Sequence, residues 1–147
     1  MKFLNAIFVL MLIGGTCVFA QNTNAENQKL PRVSEAYVVL VKEKAKLKGN
    51  LYEARQSFSP ESSEYKSATM RFSLLNREIG KLSRASAQNA AKFSAAYGDL
   101  ILAKVQTELE LYELRQRLTP ESIAVRKKQI ELQSLNHDLQ QINKSFR

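Results

Sequence analysis

Tryptophan is absent, and histidine and cysteine occur once each, as His137 and Cys17. A zinc site or a disulfide framework needs several such residues, so the composition excludes both. No Gly-rich phosphate loop and no G-x-S-x-G stretch occurs, which removes the common nucleotide and acyl-transfer signatures. The lone imidazole stands beside Asp138, and the 60-residue offset described below sets it opposite Arg77; a position that accepts Arg reads as solvated polar surface. No catalytic residue, cofactor or metal is expected.

Glycine and proline are scarce as well, at 5 and 3 in 147 residues. Beyond Val33 the chain is rich in Ala, Leu, Glu, Lys, Gln and Arg, a composition that favours helix and leaves little room for β-turns or strands. Apolar residues form one long run, at the start: MKFLNAIFVLMLIGGTCVFA. Lys2 precedes an apolar stretch from Phe3 to Ile13, and Val18-Phe19-Ala20 offers small side chains at −3 and −1 of a cleavage site. This is the tripartite plan of a secretory signal, too short to span a bilayer, with cleavage expected after Ala20. Lipidation at Cys17 is disfavoured, because Gly14 and Thr16 stand where such a signal has Leu and a small residue. Residues 21–32 are polar, contain Pro31, and read as a disordered lead-in. The rest, 33–147, reads as a single helical domain.

Acid is also in short supply: 14 Asp and Glu face 22 Lys and Arg, for a net charge of +8, or +7 without Lys2. The balance favours anionic partners, whether an envelope surface or an acidic protein, and nucleic acid is not an expected partner of an exported chain.

What the chain does have is a repeat. "RQSFSPESSEYK" from Arg55 returns as "RQRLTPESIAVRK" from Arg115. Aligning 34–84 with 94–144 at an offset of 60 gives 15 identities in 51 positions. An internal duplication of this length marks two copies of one supersecondary unit. Within each copy, proline breaks the helical pattern. Ser59 and Thr119 are expected as N-caps, Pro60 and Pro120 as first helical residues, and Glu61 and Glu121 as acids on the positive end of the helix dipole.

Apolar residues step by threes and fours on both sides of each proline: Tyr37, Leu40, Leu47, Leu51, Ala54, Phe58 before the first, and Tyr65, Ala68, Phe72, Leu75, Ile79, Leu82 after it. The second copy repeats this with Phe93, Tyr97, Leu100, Lys104, Thr107, Leu111, Leu114 and Leu118, then Leu132, Leu135, Leu139, Ile142 and Phe146. A single amphipathic helix is unstable alone, so each copy is expected to be an antiparallel helical hairpin. The fold class is therefore all-α: two tandem hairpins (34–84 and 94–144) with coiled-coil-like packing. Two architectures fit, a four-helix bundle or three helices with one long central helix from Pro60 to Leu118. The stripe passes through Ser86, Asn89 and Phe93 without a phase slip, which favours the continuous helix.

Binding candidates are the basic clusters, above all Lys42, Lys46, Arg126, Lys127 and Lys128, and the tyrosines Tyr52 and Tyr112, which recur at one repeat position. A homodimer is expected, since an elongated hairpin pair leaves apolar surface to cover.

The two Pro-Glu-Ser helix starts, in a small, basic, exported, all-helical chain, resemble the Spy/CpxP family of periplasmic chaperones and stress sensors. That family carries paired L-T-x-x-Q motifs. Leu118-Thr119-Pro120-Glu121-Ser122 follows an L-T-P-E-Q version with Ser122 for Gln, and Phe58-Ser59-Pro60-Glu61-Ser62 departs at three places. The resemblance implies helical hairpins that dimerise into a basic cradle for unfolded or envelope proteins. The other reading is a structural coiled-coil adaptor with a fixed protein partner.

Overall fold

A computed structural model describes residues 34–84, 89 and 92–146. The expected signal sequence with Cys17 and the expected lead-in at 21–32 lie outside the described residues.

Four long helices account for nearly all of it: α1 (Glu35–Ser57), α2 (Ser63–Ser83), α3 (Ala95–Arg117) and α4 (Ile123–Ser145). Each begins on a serine whose hydroxyl accepts from the backbone N–H three residues on: Ser34 from Tyr37, Ser62 from Tyr65, Ser94 from Tyr97 and Ser122 from Val125. Each bond satisfies one of the donors that a helix start leaves orphaned.

This corrects the expected helix starts. Ser59 and Thr119 are not the caps, and Pro60 and Pro120 are not the first helical residues. The proline instead occupies the second position of a four-residue turn closed by Ser62 N–H to the Ser59 carbonyl (3.0 Å) and Ser122 N–H to the Thr119 carbonyl (3.1 Å). Its fixed φ suits that place as well as it suits a helix start. Glu61 and Glu121 then precede the cap, and Glu61 pairs with Lys66 at 3.1 Å.

The continuous central helix is also absent. α2 ends at Ser83 and α3 starts at Ala95, with Phe93 and Ser94 out of the helix. The Ser94 cap replaces the lost helical bonds, and the Phe93 ring turns inward to stack on Tyr97 (4.7 Å) and meet Phe146 edge-on (5.4 Å). An aromatic residue beside a capping serine offers more burial as a corner than as one more turn of helix. The four-helix alternative is the one that holds.

α1 and α3 run parallel and lie close. Ala36 N–H donates to the Phe93 carbonyl (3.2 Å), and the Glu35 carboxylate accepts from Ala95 N–H (3.1 Å) at the start of α3. Gly98 permits the approach: a Cβ there would stand 3.0 Å from Ala36 Cα. α3 is the centre of the fold, packed on α1, α2 and α4, whereas α4 packs substantially on α3 alone.

The core follows from this. Leu40 and Leu75 are fully buried, with Leu47, Leu74, Ile79 and Leu82 around them and Tyr97, Ile101, Val105 and Leu109 from α3. α3 buries two faces, the expected Tyr97, Lys104, Thr107 and Leu111 and a second one at Gly98, Ile101, Val105 and Leu109. α4 buries only Val125 and Leu139; Leu132, Leu135, Ile142 and Phe146 of its expected stripe are half-covered.

Candidate functional site

α2 and α4 flank α3 with little direct contact between them, and a cleft of about 330 Å³ runs between them. Its floor is Tyr97, Ile101 and Lys104 of α3. Glu78, Lys81 and Leu82 line one wall, and Asn136, Leu139, Gln140 and Asn143 the other. The periodicity explains the floor: Tyr97, Ile101 and Lys104 step by four and three, and Ile101 stands where the two buried faces of α3 meet.

The charges in the cleft close on one another. Buried Glu78 accepts from Lys81 (2.9 Å), Lys104 (3.1 Å) and Arg77 (3.2 Å), and Arg77 reaches on to Glu108. Burial pushes the Glu78 carboxyl up, but the Lys81 and Lys104 ammonium groups outweigh it and hold the carboxyl below its ordinary range. Desolvation pulls the Arg77 guanidinium down, yet Glu108 and Glu78 leave it above its usual value. Burial likewise raises the Tyr97 phenol, whose hydroxyl donates to Asn143 Oδ1 (3.1 Å). Every ion in the cleft has a protein partner, so the network joins α2 to α3 and, among the described residues, leaves no free acid or base poised on the space. Among the described residues no group of His, Cys, Asp and Glu could hold a metal ion. His137 is exposed on α4, with Gln141 at 3.3 Å as its neighbour.

The binding candidates separate. Tyr52 is exposed, at 66%, while its repeat partner Tyr112 is half-buried in a second groove with Ser67, Glu113 and Arg117. Lys42 is exposed and free of any acid among the described residues; Lys46 is exposed and sits 3.7 Å from Glu43. Arg126 and Lys127 are exposed and unpaired among the described residues, but Lys128 is held by Glu110 and Glu131, each at 2.7 Å. Those two carboxylates raise the Lys128 ammonium pKa, and Lys128 with Gln106 lowers that of Glu110.

Sequence reasoning missed the exposed apolar residues near both hairpin tips and along α1. Ile123 is 86% exposed, and Phe58, Leu118, Ile130, Val38 and Val41 are also open to solvent. Because α1 and α3 run parallel, Phe58 and Leu118 fall at the same end of the molecule. Arg55, Arg115, Arg117, Arg126 and Lys127 surround them in sequence, so apolar and cationic groups share that end. The available signal was the threes-and-fours stripe itself: Val38, Val41, Ile123 and Ile130 lie off it, whereas Phe58 and Leu118, expected on it, stand at the helix C-caps and stay exposed.

No protein-family model, no curated protein and no solved structure matches this chain. Within the described residues, no helix is long and apolar enough to cross a membrane.

Proposed function

We propose that this chain is an exported, non-enzymatic helical binding protein of the cell envelope that captures unfolded or envelope proteins on a basic amphipathic surface. The leader-like residues 1–20 support export. The observation that carries the reading is the pairing, on the outer surface, of exposed apolar side chains (Tyr52, Phe58, Leu118 and Ile123) with cations that no acid neutralises among the described residues (Lys42, Arg55, Arg115, Arg117, Arg126 and Lys127). Long-range attraction concentrates an anionic client, and shallow apolar contact then holds it.

The test is light scattering from two unrelated aggregating proteins, mixed with the purified protein at low and high salt. Suppression of both at stoichiometric amounts, weakened by salt, is the expected result, with Tyr52→Ser and Ile123→Ser variants less effective. Failure to suppress either one rejects general capture. The adaptor reading is favoured by a different observation, the bare outer face of α1, where Val38, Val41 and Tyr52 are all exposed. It calls for tight binding to one partner and indifference to unrelated clients.

A further inference from the structure

The duplication contains one contact surface twice, and the fold uses it once. On α3, Gly98, Ile101, Val105 and Leu109 form a buried face that receives the first hairpin. Sixty residues earlier, the same face of α1 carries Val38, Val41, Ala45 and Gly49, and all four are exposed. The covering side is duplicated too. Ala36, Leu40 and Leu47 of α1 are buried, and their counterparts on α3 are Ala96, Leu100 and Thr107. Ala96 is exposed, Leu100 half-covered and Thr107 buried within its own chain; Ala103, opposite Glu43 in the alignment, is exposed. One side of the interface thus lies open on α1, and the first turns of α3 keep part of the other side open.

We propose that a second copy of this chain docks its α3–α4 hairpin on α1 as the first hairpin docks on the second, so that copies join head to tail.

Charge supports this occupant. Across the internal contact Lys104 binds Glu78 at 3.1 Å, and the Ser67 hydroxyl binds Glu113 at 2.8 Å. Sixty residues away these pairs become Lys44 of one copy with Asp138 of the next, and Glu53 of one copy with Lys127 of the next. Both are opposite in sign. None of the four has an ion-pair partner among the described residues; the Lys44 ammonium lies over the Phe72 ring, 6.0 Å from its centre. The competing self-contact, α1 against α1 antiparallel about Ala45, sets Lys42 opposite Lys48 and Lys44 opposite Lys46, and like charges there repel.

The docking cannot copy the internal geometry atom for atom. Val38 stands where the internal contact has Gly98, so Ala96 of the incoming copy sits farther out than Ala36 does. Ala45 and Gly49, smaller than Val105 and Leu109, let the other end come closer, and the incoming hairpin tilts. The counterpart of the Glu35–Ala95 bond is lost as well. The contact is therefore weaker than the internal one. It is also heterologous, so it adds copies in a row and does not close as a two-fold dimer.

Sedimentation velocity at low salt tests it, using the purified protein, Lys44→Glu, Asp138→Lys and an equimolar mixture of the two variants. The wild-type average mass should rise with concentration beyond two copies. Each variant alone sets like charges across the contact and should associate about tenfold more weakly. In the mixture, a row that alternates the two variants has opposite charges at every junction. The introduced carboxylate at position 44 then meets the introduced ammonium at position 138, and the unchanged Lys44 meets the unchanged Asp138. The mixture should therefore regain association. Circular dichroism checks that both variants keep the helical fold. A wild type that stays monomeric at all concentrations, a mixture that associates no better than its components, or a dimer indifferent to Asp138→Lys each overturns the proposal.

Discussion

Replacing Gly98 by Ala should destabilise this protein, although the same change elsewhere in a helix stabilises. In a helix interior Ala is favoured over Gly by about 1 kcal/mol. At Gly98 the new Cβ would meet Ala36 Cα at 3.0 Å, the Ala36 carbonyl oxygen at 3.2 Å and Val39 Cβ at 3.2 Å. Two of these atoms are backbone and cannot rotate away. Nor can α1 simply slide, because Ala36 N–H to Phe93 O and Ala95 N–H to Glu35 tie the helix starts together. Overpacking of this kind costs about 1–3 kcal/mol, so the net effect of Gly98→Ala is a loss of about 1 kcal/mol. Gly80 is the control: nothing lies within 4 Å of its built Cβ, so Gly80→Ala should gain about 1 kcal/mol. The two variants then differ by about 2 kcal/mol, a separation of about 1.3 M in urea midpoint at a slope near 1.5 kcal/mol/M. Urea unfolding followed by helical circular dichroism reads this directly, at dilution low enough to avoid self-association. A Gly98→Ala midpoint that rises as far as that of Gly80→Ala would refute the close α1–α3 contact and the packing argument built on it.

Three further outcomes follow from the same geometry. Lys104→Met should cost about 2–3 kcal/mol, because it strands buried Glu78 with only Lys81 and Arg77, while adding Glu78→Leu should recover most of the loss in the same urea assay. Glu78 has a lowered carboxyl pKa in the folded state, so the unfolded chain binds its proton first as acid is added. Its stabilisation is full above the ordinary carboxylate range near pH 4.5 and is lost as pH falls through the folded value. A Glu78→Gln variant should therefore show a flatter fall in melting temperature between pH 5 and about pH 3. Ser62→Ala and Ser122→Ala should each cost about 1 kcal/mol, and Ser59→Ala and Thr119→Ala a few tenths at most, when unfolding midpoints are compared.

Much of the fold could be read without coordinates, and the reason is local. Helix content follows from composition, and the two tips follow from Pro60 and Pro120, because proline bars a continuing helix wherever it falls in the fold. All four capping serines, at 34, 62, 94 and 122, are identities of the repeat. The caps nonetheless lie three residues beyond the expected Ser59 and Thr119, since Ser-Pro and Thr-Pro fit a turn and a helix start equally well, and only the closing bonds from Ser62 to Ser59 and from Ser122 to Thr119 distinguish them. The site was less legible. Both tyrosines occupy one repeat position, yet Tyr52 is open and Tyr112 half-covered. A periodic sequence marks which residues share a helix face and says nothing about how many helices press on it.

The sequence by itself determined the duplication, the all-helical class, the excess of cations and the scarcity of histidine and cysteine. Those rest on single residues and short spacings, which act through covalent geometry and nearest neighbours. Tertiary structure alone decided that α3 is the central helix, that Glu78 and Lys104 are buried together, and that α2 and α4 stand apart around a cleft. It alone left one copy of the repeated face bare on α1 while burying the other on α3. The two copies present nearly the same local preferences, and burial is a property of what lies across the contact, which no stretch of chain encodes within its own span.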